Sequence, residues 1–183
     1  MRFDRSKTVL AIIDVQEKLM PVIHDHSAVE KNIDRLIRGC HILGIPILVT
    51  EQYVKGLGHT VESVWKALEE TGNYHPVEKM CFSANRCDAF RLALGGLERR
   101  QVLVAGVETH VCVFQTVEDL LEEQFEVGIV ADAVSSRTLG NKEVALRRLT
   151  SDGAKITSTE MALFELLVAS GTDEFRAISK LVK

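Results

Sequence analysis

The sequence predicts an α/β fold: a three-layer, doubly wound, Rossmann-type parallel sheet of about six strands with helices on both faces. Three observations carry this expectation. Short apolar runs rich in β-branched residues, such as Thr8 to Ile13 (T-V-L-A-I-I), are too brief for helices and read as strands buried on both faces. Between them lie stretches whose apolar residues recur at helical spacing, so strands and helices alternate, which implies right-handed crossovers between parallel strands. The 183 residues also show no repeat, low-complexity segment or linker, which suits one domain over 1–183.

Taken in order, Thr8 to Ile13 is the first strand, ended by Asp14. From Ser27 to Leu43 the residues Val29, Ile33, Leu36, Ile37, Cys40 and Leu43 fall on one helical face, with Ser27 as N-cap and Gly44 as the stop. Ile45 to Thr50 is the second strand, its proline near the entry where a missing donor is tolerated. Glu51 to Thr60 reads as a loop, and Val61, Val64, Trp65 and Leu68 mark the next helix. His75 to Cys81 is a short strand carrying Lys79 at or just beyond its end, and Asp88 to Leu94 is helical up to Gly95-Gly96. Val102 to Ala105 is a buried strand, Gly106 opens a turn, and a helix runs from about Val111 to Gln124 with Cys112 in its first turn. Val127 to Ala131 makes a strand ended by Asp132, Asn141 to Thr150 a helix closed by Gly153, and Lys155 to Thr157 the last strand. Helices at about Glu160 to Ala169 and Asp173 to Leu181 finish the chain.

A composition of 46% hydrophobic and 26% charged residues argues against disorder. The net charge of −4, with no basic run, excludes nucleic acid as an expected partner. The first apolar run ends at Asp14, and no stretch approaches the roughly 20 apolar residues of a membrane span, so a cytoplasmic protein is expected. Four cysteines without a C-x-x-C pair suit a reducing compartment.

The stretch Gln101 to Phe114 (Q-V-L-V-A-G-V-E-T-H-V-C-V-F) places a thiol where unpartnered backbone N–H groups and the helix dipole favour the thiolate. In a doubly wound sheet, ligands bind outside the carboxyl ends of the strands. Asp14, Lys79 and Cys112 each follow a strand, so the fold should bring all three to one edge. Each also has a plain reading, as a turn cap, a solvated lysine and a packed cysteine.

D-V-Q at Asp14 to Gln16, the lysine of E-K-M-C-F-S and G-V-E-T-H-V-C at Gly106 to Cys112 together resemble the isochorismatase-like cysteine hydrolases, which include nicotinamidases and N-carbamoylsarcosine amidohydrolases. T-E-Q-Y-V-K-G-L-G at Thr50 to Gly58 and D-A-V-S-S-R at Asp132 to Arg137 are most similar to the isochorismatase-domain-containing subgroup. The resemblance implies Asp14 as general base, Lys79 as electrostatic partner and Cys112 as nucleophile, with the backbone N–H groups of Glu108 and Cys112 as oxyanion hole and a cis peptide at Val107-Glu108. The reaction expected is hydrolysis of an amide-type C–N bond of a small molecule through a thioester acyl-enzyme.

Where nicotinamidases carry a D-x-H metal cluster, this chain has Glu51, Gln52 and Tyr53, with His59 farther on, so neither metal nor cofactor is expected. Gln16, Tyr53, Phe82 and His110 are expected to line the substrate pocket; His110 has the alternatives of capping the helix start or facing an interface. His24 and His26 are expected at the surface. Asp132 and Arg137 are expected to pin the following loop by a mutual ion pair, with Ser135 or Ser136 satisfying a turn. The competing readings are an oligomeric scaffold that retains the triad and a redox sensor using Cys112. The apolar residues Met161, Leu163, Phe164, Leu166 and Leu167 offer surface for a homo-oligomer, a dimer or tetramer.

Overall fold

In the computed structural model, which describes residues 2–183, Thr8–Ile13 (β1) is buried along its whole length between two layers of helices. Alternation along the strand divides its side chains. Leu10 and Ile12 join one core with α1 (His26–Ile42), α3 (Glu62–Glu70), α7 (Thr159–Leu167) and α8 (Asp173–Leu181). Val9, Ala11 and Ile13 join a second core with α4 (Asp88–Gly96), α5 (Phe114–Glu122) and α6 (Leu139–Ser151). A short helix, α2 (Val54–Leu57), lies in the segment read as loop.

The sheet has six parallel strands in the order β3-β2-β1-β4-β5-β6. The chain builds outward from β1 through β2 (Ile47–Gln52) to β3 (Pro76–Lys79). It then returns to β1's other side with β4 (Gln101–Val107), β5 (Glu126–Ser135) and β6 (Lys155–Thr157). The direction reverses between β1 and β4, and Asp14 and Cys112 leave from those two strands.

Several elements differ from the sequence reading, each for a packing reason. β2 starts later and runs on through Glu51 and Gln52, because those residues pair with Glu78 and Lys79 of β3. β4 continues past Ala105, so Gly106 lies inside the strand instead of opening a turn. A Cβ at Gly106 would stand 2.1 Å from the Ile13 carbonyl oxygen, and its φ is +114°, so β4 can lie this close to β1 only with glycine there. β5 extends past Asp132 through a register irregularity opposite Val104 to Gly106. Ser27 caps nothing at the start of α1, whose N-cap is Asp25 and bears no side-chain cap.

The C-terminal apolar residues are spent within the chain. Leu163, Leu166 and Leu167 are buried in the first core, Leu163 lies over Gly39 of α1, and Phe164 packs against Phe175. Of the five expected to face a partner, Met161 alone is exposed.

Candidate active site

β1 ends where Asp14 turns into the left-handed region at φ 51°, which points its carboxylate over the end of the sheet. The side chain is fully buried and both oxygens are engaged: Oδ1 accepts from Thr50 Oγ1 at 2.7 Å and Oδ2 from Lys79 Nζ at 2.7 Å. Lys79 is the last residue of β3 and reaches across β2 to make that contact. Its ammonium also meets Gln52 Oε1 at 2.6 Å and the carbonyl oxygens of Phe82 (2.9 Å) and Cys81 (3.2 Å). An ion pair this buried is stable only when the remaining donors and lone pairs are satisfied, as here.

Cys112 sits on the other side of the switch point, in a π-helical turn (Thr109–Val113), and α5 begins after it at Phe114. The Val107-Glu108 peptide leading into the turn is cis. The Glu108 carbonyl accepts from the N–H groups of Val111 (3.0 Å) and Val113 (3.2 Å), and the Cys112 carbonyl accepts from Thr116 Oγ1 at 2.7 Å. Sγ lies 3.8 Å from Gln52 Oε1 and the residue is 7% exposed. The structure thus brings Asp14, Lys79 and Cys112 to one edge, linked through Gln52.

The electrostatics reverse one expectation. Burial pushes the Cys112 thiol far above the ordinary thiol range, the charge of Asp14 and its hydrogen bond raise it further, Glu108 adds to this, and Lys79 offsets only part. The turn at Cys112 is also not the α-helical start from which a favoured thiolate was argued. Burial and Asp14 thus favour the protonated thiol over the thiolate.

The expected pocket residues separate. Gln16 is fully buried, and its amide is consumed by main chain: Nε2 donates to the carbonyls of Gln52 (2.9 Å) and Gly58 (2.6 Å), and Oε1 accepts from Gln52 N–H (2.7 Å). It is a brace behind the site, not pocket lining. Tyr53 and Phe82 are half exposed beside the site. Tyr53, with Val54, Lys55, Glu78, Lys79 and Met80, borders a cavity of about 340 Å³, and Phe82 contributes its carbonyl to Lys79. His110 is pinned, its Nδ1 at 3.0 Å from Ser136 Oγ and its Nε2 at 3.4 Å from Asn141 Nδ2.

The expected Asp132–Arg137 pair does not form. Arg137 donates from its backbone N–H (2.9 Å) and Nε (3.1 Å) to Glu108 Oε2, because β5 carries Asp132 away toward α7. There Asp132 Oδ1 accepts from the N–H (2.8 Å) and Oγ1 (3.0 Å) of Thr159. Ser135 Oγ donates to the His24 carbonyl, and His26 pairs with Glu30.

Sequence reasoning missed Thr50 and Gln52 as partners of the site; a polar pair ending an apolar strand was the available signal. No group of three or more His, Cys, Asp or Glu among the described residues is placed to hold a metal ion. Glu51 and His59 meet at 3.1 Å, but the other Glu51 oxygen is fully occupied by Thr60 and Tyr74. No helix among the described residues is long and apolar enough to cross a membrane.

Comparison with known proteins matches residues 8–161 to the Isochorismatase domain, a span that contains every residue of this site. The chain belongs to the isochorismatase family. Among its isochorismatase-family relatives is the secreted isochorismatase effector Isc1 of Phytophthora sojae, 40% identical over 96% of this chain and 84% of that protein. Isochorismatase domain-containing protein 1 of Danio rerio is 38% identical over 96% of this chain and 61% of its own length. Among solved structures, one described as the MAR1 ribonuclease from Caenorhabditis elegans superposes with a TM-score of 0.92 at 34% identity, covering 100% of this chain and 92% of that one. The YcaC product of Escherichia coli, described as an octameric hydrolase of unknown specificity, shares the fold, with a TM-score of 0.91 at 20% identity over 99% and 90% of the two chains. Membership of the family makes the chain a hydrolase-type domain.

Proposed function

We propose that the protein is a metal-independent cysteine hydrolase that cleaves an amide-type C–N bond of a small molecule through a thioester. The observation that carries the reading is the shared buried network, in which the Asp14 carboxylate, the Lys79 ammonium and the Cys112 thiol meet around the Gln52 carboxamide. Because burial and Asp14 favour the protonated thiol, attack and ionisation go together: Asp14 takes the proton from Sγ as sulfur bonds to the substrate carbonyl carbon. The Lys79 ammonium, 2.7 Å from Asp14 Oδ2, is the counter-ion of that carboxylate. The carbonyl oxygen gains negative charge, which the N–H groups of Glu108 and Cys112 receive as hydrogen-bond donors. Collapse breaks the C–N bond, the leaving amine takes the proton from Asp14, and an acyl thioester remains on Cys112. A water molecule, deprotonated by Asp14, adds to the thioester, and its collapse returns the acid product and the thiol.

Cleavage of RNA is not carried over from the ribonuclease-named relative, since this chain has a net charge of −4 and no basic run. Exposed Tyr53, Met80 and Phe82 beside the site, and not the C-terminal helices, offer the apolar surface for a homo-oligomer. A panel of small primary amides and carbamoyl compounds tests the reaction. The expected result is release of ammonia and the acid with a covalent acyl mass on the Cys112 peptide, both lost in Cys112→Ala. Turnover that survives in Cys112→Ala refutes the mechanism.

A further inference from the structure

β2 ends in two polar residues on opposite faces of the sheet, and the proposed mechanism uses only Gln52. Glu51 faces away with its side chain 1% exposed. Its Oε1 accepts from the N–H and Oγ1 of Thr60, each at 2.7 Å, and from the Tyr74 hydroxyl at 2.9 Å; Oε2 lies 3.1 Å from His59 Nδ1. A carboxylate withdrawn from water persists where donors replace its hydration. Burial works to raise its pKa, yet the bonds from Thr60, His59 and Tyr74 outweigh that and hold it below the ordinary carboxylate range. Burial and the same carboxylate push Tyr74 up to about 12.

What Glu51 grips is the segment 53–61, which lies along the residues just after Asp14. Thr60 pairs with Gln16, Val61 N–H donates to the Val15 carbonyl at 3.0 Å, Glu17 N–H to the His59 carbonyl at 2.9 Å, and Lys18 N–H to the Leu57 carbonyl at 3.0 Å. The Gln16 amide spans from Gly58 of this segment to both the N–H and the C=O of Gln52. The main chain of Gln52 is therefore held by a side chain that the segment itself holds.

We propose that Glu51 is a positioning residue: by latching Thr60 it keeps Gln16 and Gln52 in place and so sets the approach of the Gln52 carboxamide to Cys112. The inference rests on Cys112 being the nucleophile. With its oxygen 3.8 Å from Sγ and 2.6 Å from Lys79 Nζ, that carboxamide disfavours the thiolate and occupies one ammonium hydrogen. Letting it drift makes the thiol easier to ionise. The charged groups that act on Cys112 are Asp14, Lys79 and Glu108; His59 and Tyr74 bond Glu51, and Glu17 and Glu62 border the cavity beside them.

The test follows the pH dependence of Cys112 alkylation by iodoacetamide, peptide by peptide, in the full chain. Glu51→Ala and Gln52→Ala are each expected to lower the midpoint by about half a unit or more, roughly threefold in thiolate at fixed pH. The double variant should shift no further than Gln52→Ala alone. Glu51→Gln, which keeps an acceptor for Thr60 and Tyr74, should shift less than Glu51→Ala. Equal shifts in the two Glu51 variants would mean lost charge and not a lost latch, and would overturn the proposal, as would additivity in the double. If Glu51→Ala fails to fold, Thr60→Val takes its place with the same expected direction, and an unmoved midpoint there overturns the proposal. Wild-type Cys112 labelling no faster than Cys40 would instead refute the nucleophile assignment. The exchange rate of the Gln52 amide hydrogen would still read the latch, rising in Thr60→Val if it exists and unchanged if it does not.

Discussion

In the proposed mechanism Cys112 and Asp14 divide the work of ionisation, and each has a measurable signature. Since burial and Asp14 both raise the thiol, the midpoint of Cys112 alkylation is expected above the ordinary value of about 8.5. A midpoint below 8.5 would contradict this electrostatic account. Cys112→Ala should keep the fold and lower turnover on the order of a thousandfold or more. Asp14→Asn tests the buried pair: leaving the Lys79 ammonium without its counter-ion should cost about 3–5 kcal/mol in denaturant unfolding. Asp14→Asn combined with Lys79→Met should recover most of that stability and none of the activity. At this scale the meeting of Asp14, Lys79 and Cys112 was legible, because each lies at or shortly after the end of a strand and strand ends converge. Thr50, Gln52 and Glu51 were not legible in their roles, since their partners lie 27 to 60 residues away or in a loop whose path depends on the folded sheet. Unpartnered N–H groups and the helix dipole favour a thiolate at a helix start, but neither reflects the cost of burying the sulfur beside a carboxylate.

Among the elements, β4 and its exit set the geometry. Gly106→Ala would drive a Cβ into the Ile13 carbonyl at a φ that L residues rarely adopt, with an expected loss of about 2–4 kcal/mol and a lower thermal midpoint. No change in midpoint would show that β4 can move away from β1 without loss. Asp132, freed from the pairing expected for it, caps α7 through Thr159; Asp132→Ala should cost about 1 kcal/mol and leave the alkylation profile of Cys112 unmoved. Strand cores were readable because apolar β-branched runs leave little alternative. Their ends were not. β2 gained Glu51 and Gln52, and β5 gained residues beyond Ala131, through pairing with neighbours that a local apolar pattern does not encode.

For the molecule as a whole, the order β3-β2-β1-β4-β5-β6 follows from the alternation of strands and helices only as far as the fold class. Which strand lies beside which was not in the pattern. Acid stability should reflect the buried Glu51. With its folded pKa lowered, its contribution is complete above the unfolded carboxylate value of about 4.3 and is lost as pH falls through the folded value. Denaturant midpoints of wild type and Glu51→Gln should therefore differ near neutrality and converge in acid; a constant gap would show that the charge plays no part. Sedimentation velocity reads the assembly, where an oligomer is expected and a single sharp monomer boundary would remove it. A last consequence concerns Lys79, which stands on a rim strand of four residues supported by β2 alone. Rims fray before centres do. Warming should strip the aspartate of its cation while the rest of the sheet still holds, so heat inactivation would begin below the melting temperature, and stitching the rim more firmly would widen the range of temperatures at which the protein can work.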